Sequence, residues 1–180
     1  VITTKTKKTV ADYMALPDEP RMELLEGEYF MSPSPNAGHQ RIVRNLVTRL
    51  DAFIRSKRLG EVFPSPFDAV LSDETVLQPD VLFVAAEHRS RIRDRLYGAP
   101  DLAVEVLSAG NAERDRIVKR DLYAKYGVRE YWIADPDART VEVMTLERGA
   151  WRLVAIFGVG DALESPLLRE LRLPVAELFE

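Results

Sequence analysis

Asp80 and Glu105 are the residues whose surroundings call for chemistry. Asp80 stands in Gln78-Pro79-Asp80-Val81-Leu82-Phe83-Val84, and Glu105 in Asp101-Leu102-Ala103-Val104-Glu105-Val106-Leu107-Ser108. Each is an acid inside an apolar run that reads as a strand. Burying an unpaired carboxylate is costly and drives its pKa upward. A divalent cation between the two would remove that cost. Phosphoryl transfer needs such a cation beside clustered carboxylates, to offset developing charge and lower the pKa of a bound water. Either acid alone reads rather as an exposed or salt-bridged strand end. The two together, in this order of elements, favour the cation site.

Composition narrows the cation. The 180 residues include no cysteine and two histidines, His39 and His88. Thiolate and multi-histidine sites are therefore excluded, and the expected cofactor is Mg²⁺, with Mn²⁺ able to substitute. Net charge is −4, which argues against indiscriminate coating of nucleic acid but not against a nuclease with an acidic active site. Hydrophobic residues make up 46% and charged residues 30%, as in globular proteins. No apolar run approaches the roughly 20 residues of a membrane helix. Residues 1–8 are polar and basic, without a signal-like stretch, and are expected to fray. A cytoplasmic protein with no membrane partner is the default expectation.

The elements that must position the acids can be read from periodicity. A short helix is expected over 9–16, capped at Thr9 and ended by the prolines of 17–20. Residues 22–31 read as a hairpin turning at Glu26-Gly27, pairing Leu25 with Glu28, Leu24 with Tyr29 and Glu23 with Phe30. Alternation then puts Glu23 and Glu28 on one face, opposite Leu24 and Tyr29. Both acids are secondary site candidates, and each reads as well as a solvated residue or a cross-strand partner. A helix follows over about 39–58, with Gly60 as its stop. His39 at its start could bind phosphate or water, but hydrogen bonding at the helix start is the favoured reading. Strands are expected over 61–71 and 76–85, joined by Ser72-Asp73-Glu74-Thr75, with a basic helical connection over 89–96 and a strand over 102–107. A helix over 112–126, closed by Gly127, leads to a buried strand over 131–134 and a hairpin of 141–146 with 151–157. Arg89, Arg91, Arg93 and Arg95 read as a solvated face rather than phosphate contacts, and Tyr131-Trp132 as core. The order implies one α/β domain spanning 1–180, with a central mixed sheet flanked by helices and an N-terminal helix and hairpin.

Pro79-Asp80, followed by Glu105 on the next strand, resembles the signature of the PD-(D/E)XK, or restriction-endonuclease-like, fold. A longer series is more specific. Glu23-Leu24-Leu25-Glu26-Gly27-Glu28, Ser32-Pro33-Ser34-Pro35 with His39, Gln78-Pro79-Asp80, Gly98-Ala99-Pro100-Asp101-Leu102 through Ser108, and Gly127-Val128-Arg129-Glu130-Tyr131-Trp132 with Asp135-Pro136 occur in that order. Together they resemble the Uma2 family of bacterial endonucleases, over roughly 9–146. The resemblance implies a restriction-endonuclease-like core and nucleic acid as partner. A homodimer is an analogy with nucleases of this fold that pair to cut both strands.

One position departs from the superfamily signature, which places lysine two residues after Glu105, where this chain has Leu107. The following helix offers a replacement, since Asp115, Lys119 and Tyr123 are spaced by four and form one stripe. Lysine at this helix position matches the Uma2 pattern, which implies a migrated catalytic lysine. Read from spacing alone, Lys119 would be a solvated partner of Asp115. The expected function is hydrolysis of phosphodiester bonds, in DNA, by an Mg²⁺-dependent endonuclease. Asp80 and Glu105 would hold the ion with the Val106 carbonyl as a further ligand, and Lys119 would orient or deprotonate the attacking water. The alternative is a nuclease-like domain that has lost activity and binds nucleic acid or a protein partner. Leu107 keeps that alternative open. A purely structural subunit would be favoured if Asp80 and Glu105 lay far apart.

Overall fold

Prolines cut the chain into short strands and distribute them between two sheets. The computed structural model describes residues 6–17, 19–32, 34–108 and 112–180, with side chains described from residue 117 onward in the third helix. Helix α1 (Val10–Met14) starts at a capping box in which Thr9 and Asp12 each accept the other's backbone N–H. It is shorter than the 9–16 expected. Lys7 pairs with Glu74, and the Lys8 amide bonds to the Gly27 carbonyl at 2.9 Å, so order extends into the stretch expected to fray. Residues 1–5 of that stretch lie outside the described residues.

Strands β1 (Met22–Leu25) and β2 (Glu28–Met31) pair in the expected register, Glu23 opposite Phe30. The turn holds Glu26 and Gly27 at φ 50° and 89°, the positive values that a tight two-residue hairpin requires. Helix α2 (Ala37–Lys57) begins two residues before the expected start, because the Asn36 side chain accepts the His39 N–H at 2.9 Å and caps it. Its apolar stripe of Ile42, Val43, Leu46, Leu50 and Ile54 is buried. Arg58, at φ 55°, closes the helix in place of Gly60. Gly60 has another task, opening β3 (Gly60–Pro64) with φ +153° where an added Cβ would lie 2.0 Å from the Val84 carbonyl oxygen.

The strands expected over 61–71 and 76–85 are each interrupted. Between β3 and β4 (Ala69–Ser72) lies Pro66, and between β5 (Thr75–Leu77) and β6 (Val81–Ala85) lies Pro79. Neither proline can donate to a ladder. The inner halves pair around the Ser72–Thr75 turn and join a five-stranded sheet of order β2-β1-β5-β4-β7, with β7 at Leu96–Tyr97. The outer halves pair with each other in a six-stranded sheet of order β11-β10-β9-β8-β6-β3. Its remaining strands are β8 (Leu102–Val106), β9 (Glu130–Asp135), β10 (Thr140–Glu147) and β11 (Ala150–Gly158). Strands β8 and β9 run parallel, joined through α3 (Ala112–Lys125), and the other pairs are antiparallel, so the sheet is mixed as expected. The connection expected to be helical over 89–96 is a single 3-10 segment at Ala86–Arg91 followed by β7. Arg89 and Arg91 lie in that 3-10 segment, and Arg93 and Arg95 lie between it and β7.

Alternation divides the six-stranded sheet. Phe83, Leu102, Val104 and Trp132 face α2 and the C-terminal segment, whereas Ala103, Tyr131 and Ile133 join the cluster under α3. The C-terminal segment was not anticipated from the sequence. It forms a hairpin of β12 (Ala162–Glu164) with β13 (Arg172–Pro174) and a 3-10 segment, Val175–Leu178. Its leucines are buried at irregular spacing, so no period announces them. Glu130 pins it by accepting the Ser165 hydroxyl at 2.6 Å and the Leu167 N–H at 2.9 Å. Among the described residues, no helix is long and apolar enough to cross a membrane.

Gly60→Ala drives a methyl group into the β6 backbone. It is expected to cost about 2 kcal/mol or more, by analogy with overpacked cores, read as a lower urea midpoint at unchanged slope.

Candidate active site

The antiparallel register of β6 and β8 pairs Val81 with Val104. One residue further, it sets Asp80 opposite Glu105. Pro79 stops the ladder at this point, so Asp80 lies just before its strand rather than within the apolar run. Its Oδ2 accepts the Val106 N–H at 2.8 Å and lies 3.1 Å from His39 Nε2. Glu105 lies inside β8 and shares a face with Ala103, the face covered by α3. Its Oε1 accepts the Tyr123 hydroxyl at 2.6 Å and a bond from Lys119 Nζ at 3.3 Å. Lys119 and Tyr123 are four apart and reach the same oxygen, as their shared helix face allows. Asp115 belongs to the same stripe, but its side chain is outside the described residues.

The hairpin completes the cluster. Lys119 Nζ also lies 3.0 Å from Glu23 Oε2, so one ammonium sits between Glu23 and Glu105. Glu23 is oriented by the Gln78 N–H, which its Oε1 accepts at 2.7 Å, and Ser32 Oγ lies 3.5 Å from Oε2. Of the two hairpin acids, then, Glu23 joins the acids of the central sheet, whereas Glu28 is solvent-exposed. Val106 contributes its N–H to Asp80. Gln78 and Tyr123 were not among the expected site residues. Spacing by four from Lys119 marked the position of Tyr123, but no sequence signal marks the Gln78 backbone.

Glu105, Glu23 and Lys119 are all more than nine-tenths buried, and Asp80 is nearly so. Burial pushes the Glu105 carboxyl up to about 8, opposed by Lys119 and the Tyr123 hydroxyl and reinforced by Asp80 and Glu23. Burial, and then the Glu105 charge, holds the Tyr123 hydroxyl well above its ordinary value. Glu23 and Glu105 thus share one ammonium, with Asp80 close enough to Glu105 to push its carboxyl further up. Among the described residues, every hydrogen bond to the Asp80 carboxylate goes to Oδ2 and every one to Glu105 goes to Oε1. Oδ1 and Oε2 remain for a cation, and an all-oxygen set with excess negative charge fits a hard divalent ion.

A second acidic group, Glu87, His88 and Asp101, brings three ligand atoms within 4.8 Å of one another. Asp101 precedes β8, whereas Glu105 lies near its other end. Arg129 already supplies its positive charge, 3.1 Å from Asp101 and 3.4 Å from Glu87. Burial acts to raise the Asp101 carboxyl, but the Ala85 N–H, His88 and Arg129 together hold it below its ordinary value. That group is an ion-paired strut. The arginines of 89–95 are engaged too, with Arg89 on Glu61, Arg95 on Asp68 and Asp94, Arg91 on the Ala99 carbonyl, and Arg93 over the Tyr97 ring.

Carboxylates gathered at the end of adjacent central strands, in a mixed sheet flanked by helices, define a restriction-endonuclease-like protein. The Uma2 family, described as "Putative restriction endonuclease", matches residues 10–176, and the chain belongs to that family. Among solved structures it is similar to a putative nuclease belonging to DUF820 from Anabaena variabilis ATCC 29413. The TM-score is 0.81 at 23% identity, covering 95% of this chain and 97% of that one. At that identity the likeness establishes the fold. No curated protein matches the chain.

The raised Glu105 carboxyl has a sign that can be tested. Between about 4.5 and about 8, the native metal-free protein keeps a proton that the unfolded chain has released. Its stability should therefore fall as pH rises through that window. Glu105→Gln, which stays neutral, should flatten this slope in chemical denaturation measured at several pH values.

Proposed function

We propose that the protein is a metal-dependent endonuclease that hydrolyses phosphodiester bonds in DNA. The observation that carries this reading is Lys119. An ammonium delivered by α3 lies 3.3 Å from Glu105, on the strand where Leu107 leaves the usual lysine position empty of charge. Asp80 and Glu105 would hold Mg²⁺ through Oδ1 and Oε2, with the Val106 carbonyl as a further ligand and Mn²⁺ as a substitute. When bound, the ion would lower the pKa of a coordinated water and offset charge on the phosphate.

The chain's own residues would do the rest. Lys119 orients or deprotonates the attacking water and donates to the phosphate oxygens as negative charge grows on them. Glu23, itself fixed by the Gln78 N–H, keeps the ammonium beside Glu105. The low exposure of these groups strengthens each interaction relative to water. A homodimer acting in the cytoplasm belongs to the same reading, since two copies would cut both strands. Leu107 supports one other reading, an inactive domain that keeps its carboxylates and binds nucleic acid.

The test is cleavage of plasmid and single-stranded DNA with Mg²⁺ or Mn²⁺. Asp80→Ala should abolish both cleavage and calorimetric metal binding. Lys119→Met keeps most of the stem and should cost about 10²–10³ in rate. Lys125→Met should cleave normally, because Lys125 pairs with Glu26 on the surface. Full activity of Lys119→Met would remove the lysine from the mechanism, and an inactive wild type would favour the binding domain.

A further inference from the structure

We infer that Tyr123 and His39 are positioning residues for the cation, each holding one oxygen of one carboxylate so that the other oxygen is presented to the ion. The inference rests on the metal-dependent reading above. It comes from an asymmetry shared by both acids. Tyr123 donates to Glu105 Oε1 at 2.6 Å, alongside Lys119. His39 Nε2 lies 3.1 Å from Asp80 Oδ2, alongside the Val106 N–H. The two donors reach the site from opposite layers, Tyr123 from α3 and His39 from α2. With one oxygen of each pair fixed by two partners, neither carboxylate can swing without breaking hydrogen bonds.

Packing alone does not explain these side chains. The Tyr123 ring is fully buried and lies 5.1 Å from the Tyr131 ring, a contact that phenylalanine would preserve. Among the described residues, its hydroxyl bonds only to Glu105. His39 is 8% exposed, and its Nδ1 is buried without a hydrogen-bond partner among the described residues. An unsatisfied buried nitrogen is unfavourable, and a leucine would fill the space without one. What leucine would lack is the Nε2–H group that an ionised Asp80 accepts. Neighbouring groups of this kind set the orientation of metal ligands, and their loss typically weakens metal affinity about 10–100-fold.

The experiment is Mn²⁺ titration of the full chain by calorimetry, with Mn²⁺ electron paramagnetic resonance on the same samples. Tyr123→Phe and His39→Leu should each weaken Mn²⁺ binding about 10–100-fold. His39→Gln, whose amide can donate from a similar reach, should recover most of the affinity. Tyr126→Phe, which loses hydroxyl contacts to Ser72 and Thr75 outside the site, should bind as wild type does. Unchanged affinity in a folded Tyr123→Phe overturns the assignment of Tyr123, and in His39→Leu that of His39. A nitrogen coupling to Mn²⁺ that disappears in His39→Leu would make His39 a direct ligand and overturn its positioning role. Wild type that binds Mn²⁺ while Asp80→Ala does not leaves the metal site standing when these variants fail. Wild type that binds no Mn²⁺ overturns both.

Discussion

One buried ammonium between two buried carboxylates governs this structure. Lys119 lies within reach of Glu23 and Glu105, all three nearly inaccessible to water. Removing one partner of a buried ion pair ordinarily costs about 3–5 kcal/mol, because the other charge stays behind. The arrangement therefore ties three parts of the molecule together. The hairpin must close in register to supply Glu23, the central sheet must form to supply Glu105, and α3 must dock to supply Lys119. Asp80 adds a further acid close enough to raise the Glu105 carboxyl, and Lys119 alone does not offset that rise. The result is a fold whose most expensive contacts are concentrated in one buried cluster.

Much of this was legible in the sequence because alternation and helical spacing are local. The register of β1 and β2 follows from the position of the Glu26-Gly27 turn, and with it the face on which Glu23 lies. Asp80 and Glu105 stand out as acids among apolar residues, and adjacent strands bring them opposite each other. The stripe of Lys119 and Tyr123 is likewise a matter of counting by four. What could not be read was anything decided by distant partners. The break of two long apolar runs into different sheets depends on where Pro66 and Pro79 meet the ladders. The task of Gly60 is set by Val84, which lies far from it in sequence. The C-terminal leucines carry no period, and Glu130 holds them through Ser165 and Leu167, which sequence spacing does not connect.

Carrying Lys119 on a helix, rather than on the strand that carries Glu105, changes which errors the protein can survive. On a strand, acid and lysine would share one backbone, and any slip in register would displace both. Here the acids are set by the sheet and the ammonium by the packing of Leu122, Tyr123 and Val128 beneath α3. The acids and the ammonium thus have different structural owners. Drift in the docking of α3 would displace the ammonium while leaving the acids in place, and could be reversed without rebuilding the sheet. Position 107, relieved of carrying charge, is free to pack as a hydrophobic residue against that same cluster, as Leu107 does.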